Sequence, residues 1–423
     1  MSLLAQLNLS AEERLLLLCA RCRLTPEQET ELRRLLAEGV LDWGQVWHKA
    51  RWHDLGPLVG HHLCSLAATG NIPAEAVARF KGEYITNLAF NLYRQAELRR
   101  ALAALEEAGI RVIALKGAAL AGPVYGDIGL RPMSDLDLLT PDAQATAAQE
   151  VVQSLGYRPV GTPREQEDTT LHHRHLPGLA GVEKPVLFEI HRHIVRQDSG
   201  LYFDLSGFWQ RAQVAEIAGR RTLALAPEDL LIHLALNFFL DRRFRSVSAL
   251  RQLCDVAESA RHYQEQIRWP LLLAEVEASQ LTGPVGCVLY LAREALAAPV
   301  PESALARLWP QGAVEERMTR FARRRVLDTR TWVARGLVEP DQGYNPGRVA
   351  LAAFRRLIPS REYLARKHHI SRLGLKGPLL YLARLGEGLR LLGSNGLRPN
   401  ELLKEDLALD RWQHSLCRGR RAA

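Results

Sequence analysis

Cysteine is scarce, with six residues (Cys19, Cys22, Cys64, Cys254, Cys287 and Cys417) scattered over 423 positions. So few and so dispersed, they exclude a disulfide framework and favour reduced thiols. Cys19 and Cys22 form a C-x-x-C pair, but no second ligand pair follows at zinc-ribbon or zinc-finger spacing. The pair lies in the apolar run LLLLCARC, which reads as buried structural thiols. Long hydrophobic runs are missing too. The longest, Leu230 to Leu240, holds a histidine and an asparagine and falls well short of the ~20 residues that cross a bilayer, so it reads as a core helix and no membrane span is expected. The opening MSLLAQLNLSAEER carries acids where a secretory signal carries bases, and no small-residue cleavage site follows a clean apolar stretch, so the expected location is the cytoplasm. There is no internal repeat, heptad array or low-complexity tract.

What the chain has is length and positive charge. At 423 residues and 47% hydrophobic content it can build two or three packed regions, since single cores rarely grow past ~250–300 residues. A net charge of +8 favours anionic partners such as nucleotides, RNA or anionic lipid without choosing among them. The basic residues are spread as arginines over many amphipathic helices.

The first hundred residues read as helices. Ser10 with Glu13 makes a capping box, and Thr25-Pro26 with Gln28 marks a second helix start. A third run, Ala74 to Ala108, places Ile85, Leu88, Leu92, Leu98, Leu102 and Leu105 at helical spacing and ends at Gly109. Composition then changes. IRVIAL (110–115) is short, β-branched and apolar, as a buried strand is. A short helix-like piece follows Lys116-Gly117. DLDLL is a second strand, and Thr140-Pro141 opens a helix that Gly156 ends. YRPV, LHHRHL and PVLFEIHRHI are further candidate strands, before a loop at Gln197 to Gly200. From Pro227, helical patterns resume and continue to about Leu392. The expected fold class is α+β: a small mixed sheet domain flanked by helical regions. The expected organisation is a helical lead-in over 1–108, an α+β core over 109–205, a C-terminal helical region over 206–415 and a solvated basic tail over 416–423.

The chemistry concentrates in Ser134-Asp135-Leu136-Asp137-Leu138-Leu139. Alternate residues of a strand share a face, so Asp135 and Asp137 project together while Leu136 and Leu138 enter the core. Two adjacent carboxylates repel, and a hard divalent cation removes the conflict; Mg²⁺ is commonly held by one or two carboxylates plus substrate phosphates. Glu189 adds a third acid on an otherwise apolar strand, Val186-Leu187-Phe188-Glu189-Ile190-His191, completing a carboxylate cluster suited to two metals. Lys116-Gly117 ends the preceding strand, where glycine lets a phosphate approach the backbone and a helix start offers free N–H groups. Arg131 lies four residues before Asp135, within reach of a phosphate.

The run LKGAALAGPVYGDIGLRPMSDLDLL, followed about fifty residues later by LFEIHRHI, resembles the motif set of the uncharacterised bacterial nucleotidyltransferase family within the DNA polymerase beta-like superfamily. The blocks PEDLLIHLALNFF, LRQLCDVAES and IPSREYLARKHH are also similar to what surrounds that motif, so the resemblance extends over nearly the whole chain. It implies a nucleotidyltransferase-type sheet domain in which Asp135 and Asp137 hold two Mg²⁺ ions, or Mn²⁺ in their place. Glu189 would bind the catalytic ion and assist deprotonation of an acceptor hydroxyl. Gly117 would stand at the phosphate loop, where Gly117-Ala118 replaces the superfamily's Gly-Ser or Gly-Gly, leaving Lys116 or Arg131 to supply the missing phosphate contact.

Histidines 172, 173, 175, 191 and 193 gather on the candidate strands. Glu189, His191 and His193 share a strand face, so a Zn²⁺ or Fe²⁺ site competes with the expectation that His191 and His175 line the nucleotide or acceptor pocket. Asp255, in LRQLCDVAES, is either a cleft acid or a helix-surface acid. Three functional classes follow: an enzyme moving NMP from an NTP to a hydroxyl of a small molecule, peptide, lipid or sugar; one acting on RNA, for which the charge is the support; and a catalytically silent nucleotide-binding protein.

Overall fold

In the computed structural model the described residues are 3–327 apart from 68–70, 182–183, 197–198, 200, 202, 241–248 and 310–314, together with 412 and 416. The expected helices beyond residue 327 and the basic tail after Leu416 lie outside the described residues, as does most of the loop at Gln197 to Gly200. The elements below belong to one compact unit of residues 1–241, 246–327 and 413–423.

The N-terminal helices are α1 (Leu3–Gln6), α2 (Ala11–Cys19), α3 (Pro26–Ala37), α4 (Trp43–Trp52), α5 (Gly56–Leu66) and α6 (Ala74–Glu107). Both expected capping boxes are present: Ser10 and Glu13 bond each other's backbone N–H at 3.2 and 3.1 Å, and Thr25 and Gln28 do the same. Cys19 is fully buried and burial pushes its thiol up to about 12, as an unreactive structural thiol requires.

Helix α6 departs from its apolar pattern in an informative way. Leu98, Leu102 and Leu105 pack into the sheet core as expected, whereas Ile85 and Leu92 are more than half exposed. The first half of the helix presents a polar stripe to a loop instead. The Tyr84 hydroxyl donates to Asp127 Oδ2 at 2.8 Å, Asn87 Nδ2 to the Gly129 carbonyl at 2.7 Å, and Asn91 Nδ2 to the carbonyls of Ile128 and Arg131 at 2.6 and 2.8 Å. These residues lie three and four apart, hence on one helix face. Their bonds satisfy carbonyls of the segment that leads into Asp135 and hold it still.

The central sheet contains β1 (Ile113–Ala114), β2 (Leu136–Leu139), β3 (Tyr157–Pro159), β4 (Leu179–Gly181), β5 (Lys184–His191), β6 (Gln213–Ile217) and β7 (Arg220–Ala224) in the order β3-β4-β5-β2-β1-β7-β6. The β2–β5 and β1–β7 pairs are parallel and the others antiparallel. Interspersed are α7 (Lys116–Leu120), α8 (Ala145–Ser154), α9 (Pro163–His172) and α10 (Ser206–Arg211), followed by α11 (Pro227–Leu240), α12 (Ala249–His262), α13 (Trp269–Ala278), α14 (Thr282–Leu296), α15 (Glu302–Leu308) and α16 (Glu315–Ala322). The class is α+β, with the sheet flanked by helices. No helix among the described residues is long and apolar enough to cross a membrane.

LHHRHL is not a strand. Thr162 and Glu165 form a capping box around Pro163, and the helix they start absorbs Leu171 and His172; His175 keeps only an isolated bridge to His191. The sheet also gains the β6–β7 hairpin, turned by Ala218 and Gly219 at φ +52° and +70°, the left-handed pair of a tight hairpin turn. Leu136, Leu138, Phe188 and Ile190 enter the core with Tyr157, Leu179 and the α8 residues Ala148 and Val152. That alternation leaves the other face of β2 and β5 for chemistry.

Candidate active site

Because β2 and β5 run parallel in register, Asp137 lies opposite Glu189 and Leu139 opposite His191. Asp137, Glu189 and His191 are all buried. Asp137 Oδ1 accepts from Lys116 Nζ at 2.6 Å and from His191 Nε2 at 2.7 Å. Glu189 Oε2 lies 3.5 Å from His191 Nε2 and 3.6 Å from His175 Nε2. Asp135, two residues before Asp137 and half-buried, accepts from the Ser134 hydroxyl at 2.9 Å. The structure thus gathers Lys116, Asp135, Asp137, His175, Glu189 and His191 around one point at the edge-to-edge seam of β2 and β5.

Lys116 reaches Asp137 from a left-handed backbone, φ +44°, which a side-chain-bearing residue adopts at a cost. The strain places the ammonium against Asp137 at the first residue of α7. Burial opposes ionisation of Asp137, but the Lys116 charge and the His191 hydrogen bond outweigh it and hold the carboxyl well below the usual range. Glu189 behaves likewise, burial being overcome by His191 and by the charges of Lys116 and His175, so that it titrates at about 2. Asp135 goes the other way: burial first, then the charges of Asp137 and Glu189, push it up.

The signs predict a stability test. A raised carboxyl costs stability progressively as pH rises above its ordinary value of 3.8, the full amount above its folded value and nothing well below 3.8. Asp135→Asn should therefore raise the melting temperature of the metal-free protein at pH 7 by roughly 1–3 °C, and the gain should vanish below pH 3.8. Scanning calorimetry of both proteins at pH 7 and pH 3.5 reads this directly.

The residues fit a divalent cation on two observations. Asp137 Oδ2 is buried with no hydrogen-bond partner among the described residues, and an orphaned carboxylate oxygen is costly unless a cation meets it. His175 Nδ1 donates to the Leu176 carbonyl at 2.7 Å, and burial pulls the imidazole down to about 4. Its Nε2 therefore turns a lone pair toward the Glu189 carboxylate, and a cation between two acceptors relieves the conflict. Ligand atoms of Asp137, Glu189 and His191 all lie within 4.8 Å of one another.

Arg131 and Gly117 have duties other than those their positions suggest. Arg131 is buried and its nitrogens are all engaged: Nε and Nη2 donate to Asp255 Oδ1 and Oδ2 at 2.8 and 2.7 Å, and Nη1 to the Pro132 carbonyl at 3.2 Å. Asp255 also accepts from the Tyr125 hydroxyl at 2.7 Å and from Arg251 at 3.2 Å, so it is a buried anchor rather than a cleft or surface acid. The space beside Gly117 is filled by Arg131. A Cβ there would meet Arg131 Nη1 at 2.4 Å and Met133 Cγ at 2.6 Å. Gly117→Ala should therefore cost about 1–3 kcal/mol by overpacking, measured by urea denaturation.

The other histidines sort by their partners. His193 Nε2 donates to the Phe203 carbonyl at 2.8 Å while Nδ1 accepts from Val195 N–H, so it braces a loop. His173 meets Arg196 at 2.8 Å. His233 on α11 went unnoticed in the sequence as more than a break in an apolar run. It is fully buried, neither ring nitrogen has a partner among the described residues, and it lies close enough to Lys116, His191 and Asp137 to feel their charges. Burial above all keeps it uncharged. A histidine flanked by leucine and isoleucine in the middle of an apolar buried helix is the signal that marks it.

No curated protein and no solved structure matches the chain. The family described as uncharacterised nucleotidyltransferase matches it over residues 40–297, more than half of its length and the span that holds every residue of the cluster. With that match and a buried carboxylate centre inside it, the chain is a nucleotidyltransferase and belongs to the uncharacterised nucleotidyltransferase family.

Proposed function

We propose that this enzyme, acting in the cytoplasm, moves NMP from an NTP to a hydroxyl of a small molecule, peptide or sugar, using Mg²⁺ or Mn²⁺ held by Asp135, Asp137 and Glu189. The observation that carries the reading is the Asp137–Glu189 pair on adjacent parallel strands with Asp137 Oδ2 unpartnered. Bound there, divalent cations would supply the charge neutralisation and Lewis acidity that phosphoryl transfer requires. The catalytic core would be the expected 109–205 segment, in the manner of the DNA polymerase beta-like superfamily, with the β6–β7 hairpin extending its sheet.

The acceptor oxygen forms a bond to the α-phosphorus, the bond from that phosphorus to the bridging oxygen breaks, and pyrophosphate leaves. The acceptor's proton passes to a site carboxylate, Glu189 in the role the family resemblance gives it. His191 fixes Asp137 by donating to Oδ1, and Lys116 shares that oxygen. When phosphate enters, Lys116 has a second anion to bridge to. Gly117 keeps the start of α7 tight against Arg131, and His175 lines the pocket beside Glu189.

Incubation with each of the four α-labelled NTPs, Mg²⁺ or Mn²⁺ and fractionated cell extract tests the reading. Label should enter the protein or small-molecule fraction. Label entering RNA instead would move the acceptor to nucleic acid, and measurable NTP binding without any transfer would identify a silent nucleotide-binding protein.

A further inference from the structure

We infer that Arg94 binds the triphosphate of the nucleotide substrate beside Asp135, an inference that rests on the nucleotidyl-transfer reading above. Arg94 was not among the basic residues that the motif pattern picks out. It stands out from its place on α6. Tyr84, Asn87 and Asn91 form one face of that helix, each bonded to the 127–131 segment that runs into the catalytic strand. Arg94 is the next residue on this face, three beyond Asn91. Every preceding member of the stripe has a loop partner, and among the described residues Arg94 has none.

Its guanidinium is half-buried and poorly satisfied. Nη1 makes one long bond to Asn91 Oδ1 at 3.4 Å, the head lies 5.4 Å from the Phe90 ring centroid, and the buried Nε has no acceptor. It forms no ion pair among the described residues. Burial weakens its hold on its proton, and the charge that offsets this is Asp135. A cation desolvated without a carboxylate partner is expensive unless an anion arrives to complete it. A guanidinium whose Nε lacks an acceptor keeps donor capacity, and its planar fork matches a pair of phosphate oxygens.

The two other cations whose charges act on Asp135, Arg131 and Lys116, are already paired with protein carboxylates in the free protein. All Arg131 nitrogens are engaged, with Asp255 neutralising its charge, and Lys116 is bonded to Asp137. The site's charge balance says the same: Asp135, Asp137 and Glu189 carry the anionic side, so an incoming polyphosphate needs an uncommitted cation at its edge. The ligand class is therefore the polyphosphate tail, shared by all NTPs, rather than a base or sugar.

The test is calorimetric titration of the full-length protein with each NTP in the presence of Mg²⁺, with inorganic tripolyphosphate and with the matching NMP, using wild type, Arg94→Gln and Arg94→Lys. Arg94→Gln should weaken NTP and tripolyphosphate binding by about 10-fold or more, the scale of a lost charge-assisted pair of hydrogen bonds. NMP binding should change by less than about 3-fold, within the reach of unrelated surface effects. Arg94→Lys, which keeps the charge and loses the fork, should fall between, and circular dichroism should show all three proteins folded alike. NTP and tripolyphosphate binding that survives unchanged in Arg94→Gln overturns the assignment alone. Wild type that binds neither overturns it together with the proposed function. Arg94-dependent binding without any transfer would leave the assignment standing and remove only the catalytic reading.

Discussion

Asp137→Asn should fold and should lose nucleotidyl transfer by about 10³-fold or more, a barrier increase of ~4 kcal/mol. The fold survives because asparagine is isosteric and its oxygen can still accept from Lys116 and His191, which both bond Oδ1. The new amide NH₂ then falls at the position of Oδ2, where the native structure has no partner to clash with it. What disappears is the negative charge, and with it the affinity for a divalent cation at the point where charge develops in the reaction. Mn²⁺ titration of the variant should show lost or strongly weakened binding alongside an unchanged far-ultraviolet circular dichroism spectrum. Full activity in this variant would remove Asp137 from the mechanism.

The second large effect is structural. Asp255→Ala should destabilise the protein by about 3–5 kcal/mol, because it leaves the buried Arg131 guanidinium without its bidentate partner. The same change orphans the Tyr125 hydroxyl and loosens Arg251. Replacing both partners, Arg131→Met with Asp255→Leu, should recover much of the loss, since it removes the two buried charges together. Denaturant midpoints of wild type, single and double variants decide it. A loss below ~1 kcal/mol in the single variant would mean that water, and not Asp255, carries the Arg131 charge.

These two cases show which parts of the site the sequence makes legible. The strand placement of Asp137 and Glu189, with Leu136, Leu138, Phe188 and Ile190 in the core, was readable because strand alternation is local. The capping boxes at Ser10 and Thr25 were readable for the same reason. Arg131 was misleading because its partner, Asp255, is 124 residues away, and nothing local distinguishes a phosphate-binding arginine from one already neutralised. Gly117 was read as room for a phosphate when the room belongs to Arg131 and Met133, again a contact set by the fold. The parallel pairing of β1 with β7 joins segments about 110 residues apart, Ile113 to Leu223, and no periodicity within either segment announces it. LHHRHL failed differently: its apolar ends suit a strand, but the start signal at Thr162-Pro163 lies upstream and decides for helix. Arg94 was hidden on a helix whose apolar pattern drew attention to its isoleucine and leucines, of which Ile85 and Leu92 are exposed.

The electrostatics also explain why the site is poised rather than relaxed. Lys116 is held in a left-handed conformation, Asp135 is pushed up, His233 is buried without partners, and Asp137 keeps an open oxygen. The raised Asp135 and the open oxygen of Asp137 cost stability in the free protein, and a cation meeting these carboxylates would relieve both.

The most direct measurement uses one NTP labelled in turn at the α- and the γ-phosphate, incubated with wild type or Asp137→Asn in the presence of Mn²⁺ and the acceptor fraction. Nucleotidyl transfer predicts α-label in the acceptor, γ-label in released pyrophosphate, and neither with the variant. γ-Label in the acceptor, or equal transfer by the variant, would contradict it.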